Sequence, residues 1–192
     1  MATEYLDKAT LVRTGADVAD AEGWSALTLS RVAREVDRHV SSLYAHVDGL
    51  DDLRREITLL ALSELSDEVW RAALGRTQGE ALRAIATVER DYGRRHPGRM
   101  TAIWSYSDPG DTEFTARGTR LAEPLRATFR SFGLDEGQVH HAHSVFSSAV
   151  RGLVVSETTN TFRFGDSDVA LSTLVDLFLV AFSTGAWPAP DQ

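Results

Sequence analysis

Residues 27–53 read LTLSRVAREVDRHVSSLYAHVDGLDDL. Apolar residues recur in this stretch at helical spacing. The run is broken at Asp37-Arg38-His39 and again after Val47. Segments this short do not hold helical form alone, because nucleating a helix costs more than one or two turns return. They must pack on one another and on neighbouring helices. The N-terminal end is therefore expected to be a small helical bundle.

The rest of the chain keeps the helical period, and few segments alternate with period two. The expected class is all-α, with about nine helices. A first helix is expected over residues 5–21, with Leu11, Val12, Ala16, Val18 and Ala19 inward and Gly23 as its left-handed stop. Trp24 and Leu27 should fold back into the core. Thr28 caps a second helix over 29–36, and Asp37 tolerates the left-handed or bridge backbone of the turn. A third helix covers 39–45. The fourth, 49–74, carries two apolar stripes, Leu50-Leu53-Ile57-Leu60 and Leu59-Leu62-Leu65-Val69, so it is expected to be buried on two sides and to join two bundles. Further helices are expected over 80–95, closed by His96-Pro97-Gly98, and over 99–105. After the turn at 108–111, a seventh runs to 132 and is kinked or restarted at Pro124. Asp135 caps an eighth that ends near 158, and a ninth spans 166–183. The tail, 187–192, is expected to fray.

Composition removes several chemistries. There is no cysteine, so disulfides, thiol nucleophiles and Cys-based metal centres are excluded. No serine sits in a strand-to-helix elbow and no His-Glu-x-x-His run occurs, so an enzyme is not expected. No cofactor is expected. His140 and His143 lie one turn apart and lack a fixed third ligand, so no metal is assigned. No apolar run reaches signal-peptide or membrane-span length; the expected location is cytoplasmic, with no membrane partner. The net charge of −8 argues against non-specific coating of nucleic acid. Locally the balance differs, because Arg31, Arg34 and Arg38 outnumber Glu35 and Asp37 between residues 28 and 46.

Two short helices around a tight turn, the second rich in hydroxyl and small side chains, form the helix-turn-helix pattern. A recognition helix enters a major groove about 12 Å wide with short or hydrogen-bonding side chains outward. Val40, Leu43 and Val47 can pack inward, while Arg38, His39, Ser41, Ser42 and Tyr44 project outward. Thr28, Arg31, Val40 and His46 complete the candidate set for double-stranded operator DNA. The start of the fourth helix offers backbone N–H groups to a phosphate.

The segments WSALTLSRVAREV, SSLYAHV and GLDDL, within residues 24–53, resemble the N-terminal domain of the TetR-type (TetR/AcrR) transcriptional regulator family, and a subgroup reading roughly PSLYKHVGGLDDLR. Thr28 matches the family's cap, Leu43-Tyr44-x-His46 its third-helix signature, and Val47 and Leu53 its apolar positions. Asp37-Arg38 replaces the usual Gly-Val turn, and Leu50 and Ala45 stand where lysines are common; these departures bear on affinity rather than fold. AVRGLVVSE, residues 149–157, resembles part of the subgroup's eighth helix. The resemblance implies a helix-turn-helix domain over 1–48 and an effector-binding and dimerisation domain over 49–192. It also implies a homodimer whose last two helices form a four-helix bundle.

The residues add support. The eighth and ninth helices carry more apolar surface than one chain needs, with Val150, Leu153, Val154, Leu174, Phe178 and Phe182 as candidate dimer contacts. A pocket lined by Trp70, Tyr92, Trp104, Phe114, His143, Phe146 and Arg151, with Tyr106 and His140 nearby, would suit a small amphipathic effector. The expected function is a ligand-responsive repressor that binds a palindromic operator as a homodimer, its third helices about 34–36 Å apart, and is released by the effector. The alternatives are a TetR-like fold that has lost DNA binding and only binds small molecules, or a helical enzyme.

Overall fold

The computed structural model of the chain describes residues 6–163 and 165–187. The expected helix start at Tyr5 and the tail residues 188–192 lie outside them. Among the described residues there are nine α-helices, one 3-10 turn and no strand: α1 Lys8–Glu22, the 3-10 turn Trp24–Ala26, α2 Leu29–Glu35, α3 Val40–Leu43, α4 Leu50–Ala73, α5 Gln78–Arg95, α6 Pro97–Ser105, α7 Thr112–Arg130, α8 Glu136–Thr158 and α9 Ser167–Ser183. No helix among them is long and apolar enough to cross a membrane.

The described residues group into two compact units. One holds those up to Glu64 together with Arg95–Arg117, and the other holds Leu65–Arg94 together with those from Gly118 onward. Within the first unit α6 packs on α1 and the start of α7 is tied to α4.

The first unit has a continuous apolar core of Leu11, Val12, Ala16, Val18, Leu27, Val32, Ala33, Leu43, Val47, Leu53, Ile57 and Ala102. Leu27 folds into it as expected, while Trp24 is only partly buried, with the Arg54 guanidinium 5.9 Å from its ring centre. His96-Pro97-Gly98 does more than close α5. Pro97 opens α6 in its first turn, where its missing N–H costs nothing. A Cβ on Gly98 would stand 2.2 Å from the Ala19 carbonyl carbon, so glycine lets α6 touch the α1 backbone.

Charge fastens the same seam. Arg99, buried, reaches Asp17 at 2.6 Å and Asp20 at 3.0 Å, and its own backbone N–H donates to Asp20 at 2.8 Å. His96 Nδ1 lies 3.0 Å from Asp20 as well. Nearby, Asp111 caps α7 by accepting from the N–H groups of Glu113 and Phe114 at 3.1 and 3.0 Å, and it receives Arg55 Nε at 2.6 Å and the Tyr106 hydroxyl at 2.8 Å. Those donors, led by Arg55, hold its carboxyl well below the ordinary range.

The second unit corrects one expectation. The restart expected at Pro124 is absent, since α7 continues from Thr112 to Arg130. A proline leaves the carbonyl four residues before it without a donor. Here that carbonyl belongs to Arg120, and the Trp70 indole N–H donates to it at 2.9 Å. The aromatic core beside it joins Phe129, Phe146, Phe178 and Phe182 in edge-on contacts with centroids 5.0–5.9 Å apart. Helix α8 begins with a capping box of Asp135 and Gln138, and α9 with Asp166.

Candidate nucleic-acid interface

Helix α2 starts where the Thr28 hydroxyl accepts the Arg31 N–H at 3.1 Å. It stops at Asp37, whose φ of 51° is left-handed. The Arg38 N–H then donates to the Ala33 carbonyl at 2.9 Å and the Asp37 N–H to Arg34 at 3.3 Å, the hydrogen-bond pattern that usually closes on glycine. His39 is extended and forms the N-cap of α3. Regular α-helix covers only Val40–Leu43, shorter than the expected 39–45, and hydrogen-bonded turns carry the chain on to Val47.

That local geometry sorts the side chains. Leu43 and Val47 are buried and Val40 partly so. Ser41, Ser42 and His39 are exposed, and Tyr44 keeps 58% of its surface accessible. An aromatic residue with a hydroxyl, standing this far out of a packed bundle, is available to a partner. The Ser42 hydroxyl donates back to the His39 carbonyl at 2.7 Å, which leaves its lone pairs outward. Arg38 Nη1 donates to the Asp37 carbonyl at 2.9 Å, and Arg38 and His46 are half-buried. Thr28 is exposed beside its cap bond.

Arg31 is placed differently from the others. Its guanidinium is clamped by Glu22 and Glu35, each at 2.7 Å, so its charge is already balanced. At the start of α4 the Asp48 N–H is taken by the Asp52 carboxylate at 3.0 Å, which removes one of the backbone donors expected for a phosphate.

The remaining candidates fall in both units, Trp104 and Phe114 in the first and Trp70, Tyr92, His143, Phe146 and Arg151 in the second. Tyr92 and Phe146 are fully buried, and Phe146 belongs to the aromatic core. Trp70 is partly exposed, but its N–H serves Arg120; it lines an apolar groove of about 330 Å³ with Ala73, Leu74, Ala81, Pro124 and Ala127. Phe114 is half-buried and packs on Tyr106 with centroids 4.8 Å apart, and Trp104 is half-buried. His143 is half-buried, and burial, followed by the nearby Arg126, lowers its imidazole pKa. Arg151 and His140 are exposed. Among the described residues no cluster of three His, Asp or Glu is arranged to hold a metal.

Of the candidate dimer contacts, Val150, Val154, Phe178 and Phe182 are buried within the single chain, the two phenylalanines in the aromatic cluster. Leu153 and Leu174 are half-buried. The apolar residues left outward on α8 and α9 are Val145, Val155, Val169, Leu177 and Val180, and a Cβ at Gly152 would meet open space.

Two charged groups on α5, the buried Arg90 and the partly buried Glu89, escaped the sequence reading. Arg90 on α5 is bound by Glu157 at 2.7 Å, by Asp168 and by the Ser167 hydroxyl. Beside it, Glu89 lies in line with the apolar positions 82, 85 and 92, and burial alone pushes its carboxyl up to about 7. The signal was present as a single carboxylate inside an apolar stripe.

Residues 82–179 match the tetracyclin repressor-like C-terminal domain family. An HTH-type transcriptional regulator of Mycobacterium tuberculosis, Rv0681, is 33% identical over 171 residues, which is 88% of this chain and 78% of that relative. Among solved structures, a Rhodococcus sp. RHA1 protein of unknown function superposes with a TM-score of 0.77 at 12% identity, over 93% of this chain and 96% of its own. The TetR family protein ActR of Streptomyces coelicolor, solved in complex with (S)-DNPA, superposes with a TM-score of 0.70 at 19% identity, over 96% and 100%. With the helix-turn-helix of α2 and α3 ahead of a matching C-terminal region, the chain belongs to the TetR family of helix-turn-helix transcriptional regulators.

Proposed function

We propose that the protein is a repressor that binds a palindromic operator as a homodimer and lets go when a small molecule binds its C-terminal helices. The observation that carries this reading is the orientation of the third helix. Leu43 and Val47 hold it in the core while Ser41, Ser42 and Tyr44 stand in solvent, as groove reading requires. Ser41, Ser42, His39 and Tyr44 are the proposed DNA contacts, with Arg38 beside them. Arg31 supports α2 through its two glutamates instead of touching phosphate. A two-fold operator calls for a two-fold protein, and the outward Val145, Val155, Leu177 and Val180 leave apolar surface on α8 and α9 for a second copy to cover. For release, the effector must bind the DNA-incompetent state more tightly than the competent one, since equal affinity shifts nothing.

The test is selection of duplexes from a random pool, followed by fluorescence anisotropy at two salt concentrations. A selected duplex should bind with strong salt dependence, and Tyr44→Ala should weaken it about tenfold or more, within the range set by one good contact. Sedimentation should show a dimer that Leu177→Lys converts to monomer. Failure to select any duplex would turn the reading toward a small-molecule binding protein, which the overall acidity and the clamped Arg31 favour.

A further inference from the structure

A groove of about 340 Å³ lies wholly within the first unit, walled by α1, α4 and α7. Lys8, Ala9, Val12 and Arg13 line it from one face of α1, and Glu56, Leu59 and Leu60 from one face of α4. Their spacing of three and four residues is the one that sets side chains beside each other on a helix. Arg117 closes the groove from α7. Val12 and Leu59 are buried, but Ala9 is exposed and Leu60 only half-buried, so apolar surface on both helices is open to an entering molecule.

Three cations and one carboxylate line this groove, in a chain whose net charge is −8. The carboxylate, Glu56, is already engaged by the Lys8 ammonium at 2.9 Å and by Arg55 at 3.3 Å. Arg117 is fixed against α4: its Nη1 donates to the Leu59 carbonyl at 2.9 Å and to the Ser63 hydroxyl at 2.6 Å, and its Nη2 to Glu113 at 2.6 Å. Arg13 is treated differently. It is exposed and makes no hydrogen bond or ion pair among the described residues. Asp7, the carboxylate near enough to sense it, takes the Thr10 N–H as the cap of α1. Elsewhere in the same unit Arg31, Arg55 and Arg99 are each met by at least two carboxylates. The charge this groove lacks is therefore negative, and Ala9 and Leu60 beside Arg13 call for an apolar body on the molecule that carries it.

We infer that the groove between α1, α4 and α7 binds a small organic anion with an apolar or aromatic body, its anionic group meeting Arg13 while Ala9 and Leu60 receive the body. The site lies in the unit that carries the helix-turn-helix, and it stands whether or not the protein is a repressor. A neutral ligand of the same shape loses the ion pair. A cation meets Lys8, Arg13 and Arg117 as like charges.

Naphthoate and naphthylmethylammonium carry the same ring and opposite charges. Each would be titrated into the full chain by calorimetry, with wild type, Arg13→Gln and Ala9→Phe side by side. Both positions are exposed on α1, so the fold should hold, and thermal melting checks that it does. Wild type should bind naphthoate about tenfold more tightly than the ammonium, and Arg13→Gln should lose roughly that factor, the range of a hydrogen bond to a charged group. Ala9→Phe should weaken naphthoate at least as much, because the ring fills the groove. Leu74→Glu, on the apolar groove of the second unit, should leave naphthoate binding unchanged. The proposal is overturned if wild type shows no preference for naphthoate, which includes binding neither ion. It is equally overturned if either folded α1 variant binds naphthoate as wild type does, or if Leu74→Glu weakens it as much as they do.

Discussion

Arg99 in the first unit and Glu89 in the second are both charges set among apolar residues, and they are handled in opposite ways. Arg99 is met by Asp17 and Asp20 and sits over the Gly98 contact with α1. Glu89 is met by nothing among the described residues, and burial raises its pKa. A paired buried charge acts as a fastener, because removing one member strands the other. An unpaired one lowers the stability of the fold. The difference lies in what packing brings to each charge, since Arg90, next to Glu89, is answered by Glu157, Asp168 and Ser167.

The sharpest way to break this contrast is to remove the fastener. Arg99→Met takes one partner from Asp20, which keeps His96 and the residue-99 backbone N–H, and should destabilise by about 1.5–3 kcal/mol in urea denaturation. Adding Asp20→Asn should recover part of the loss, because the two changes are coupled. An Arg99→Met protein as stable as wild type would mean the seam rests on Gly98 and apolar packing alone.

The opposite sign is expected at Glu89. Its folded pKa of about 7 lies above the ordinary 4.5, so the folded state binds the extra proton between those values. Stability should therefore fall as pH rises through that window and stay low above it. Glu89→Gln should remove that slope and stabilise the protein by on the order of 1–3 kcal/mol at pH 8. Urea denaturation of both proteins at pH 5 and pH 8 reads both effects, and parallel pH profiles would show that Glu89 has found a partner after all.

A smaller effect is expected at Trp70. Trp70→Phe leaves the Arg120 carbonyl without its donor and should cost about 1 kcal/mol. In a Pro124→Ala background the helix supplies its own N–H, so the same change should cost less. Equal costs in the two backgrounds would mean that packing of the indole, and not its hydrogen bond, carries α7 past the proline.

Much of the local architecture was legible in the sequence. Thr28, Asp135 and Asp166 announced helix starts because capping is settled within three residues of the cap. Asp37 announced the turn, and Leu43 and Val47 announced the buried side of the third helix, because period and φ preference are local properties. The expected restart at Pro124 did not occur, because the Arg120 carbonyl finds its donor in an indole fifty residues earlier in the chain.

What the sequence by itself determined, then, is the all-α class, the helix order and the side of α3 that carries Ser41, Ser42 and Tyr44. These follow from spacing and caps that act within a turn or two. Only the tertiary structure decided that Phe146, Phe178 and Phe182 make one aromatic core while Leu177 and Val180 are left outward, that Arg31 is spent on Glu22 and Glu35, and that Arg90 is paired while Glu89 is not. An apolar or charged side chain looks the same in sequence whether or not a partner meets it. Which of them is met depends on elements far apart in the chain that are brought together only by packing.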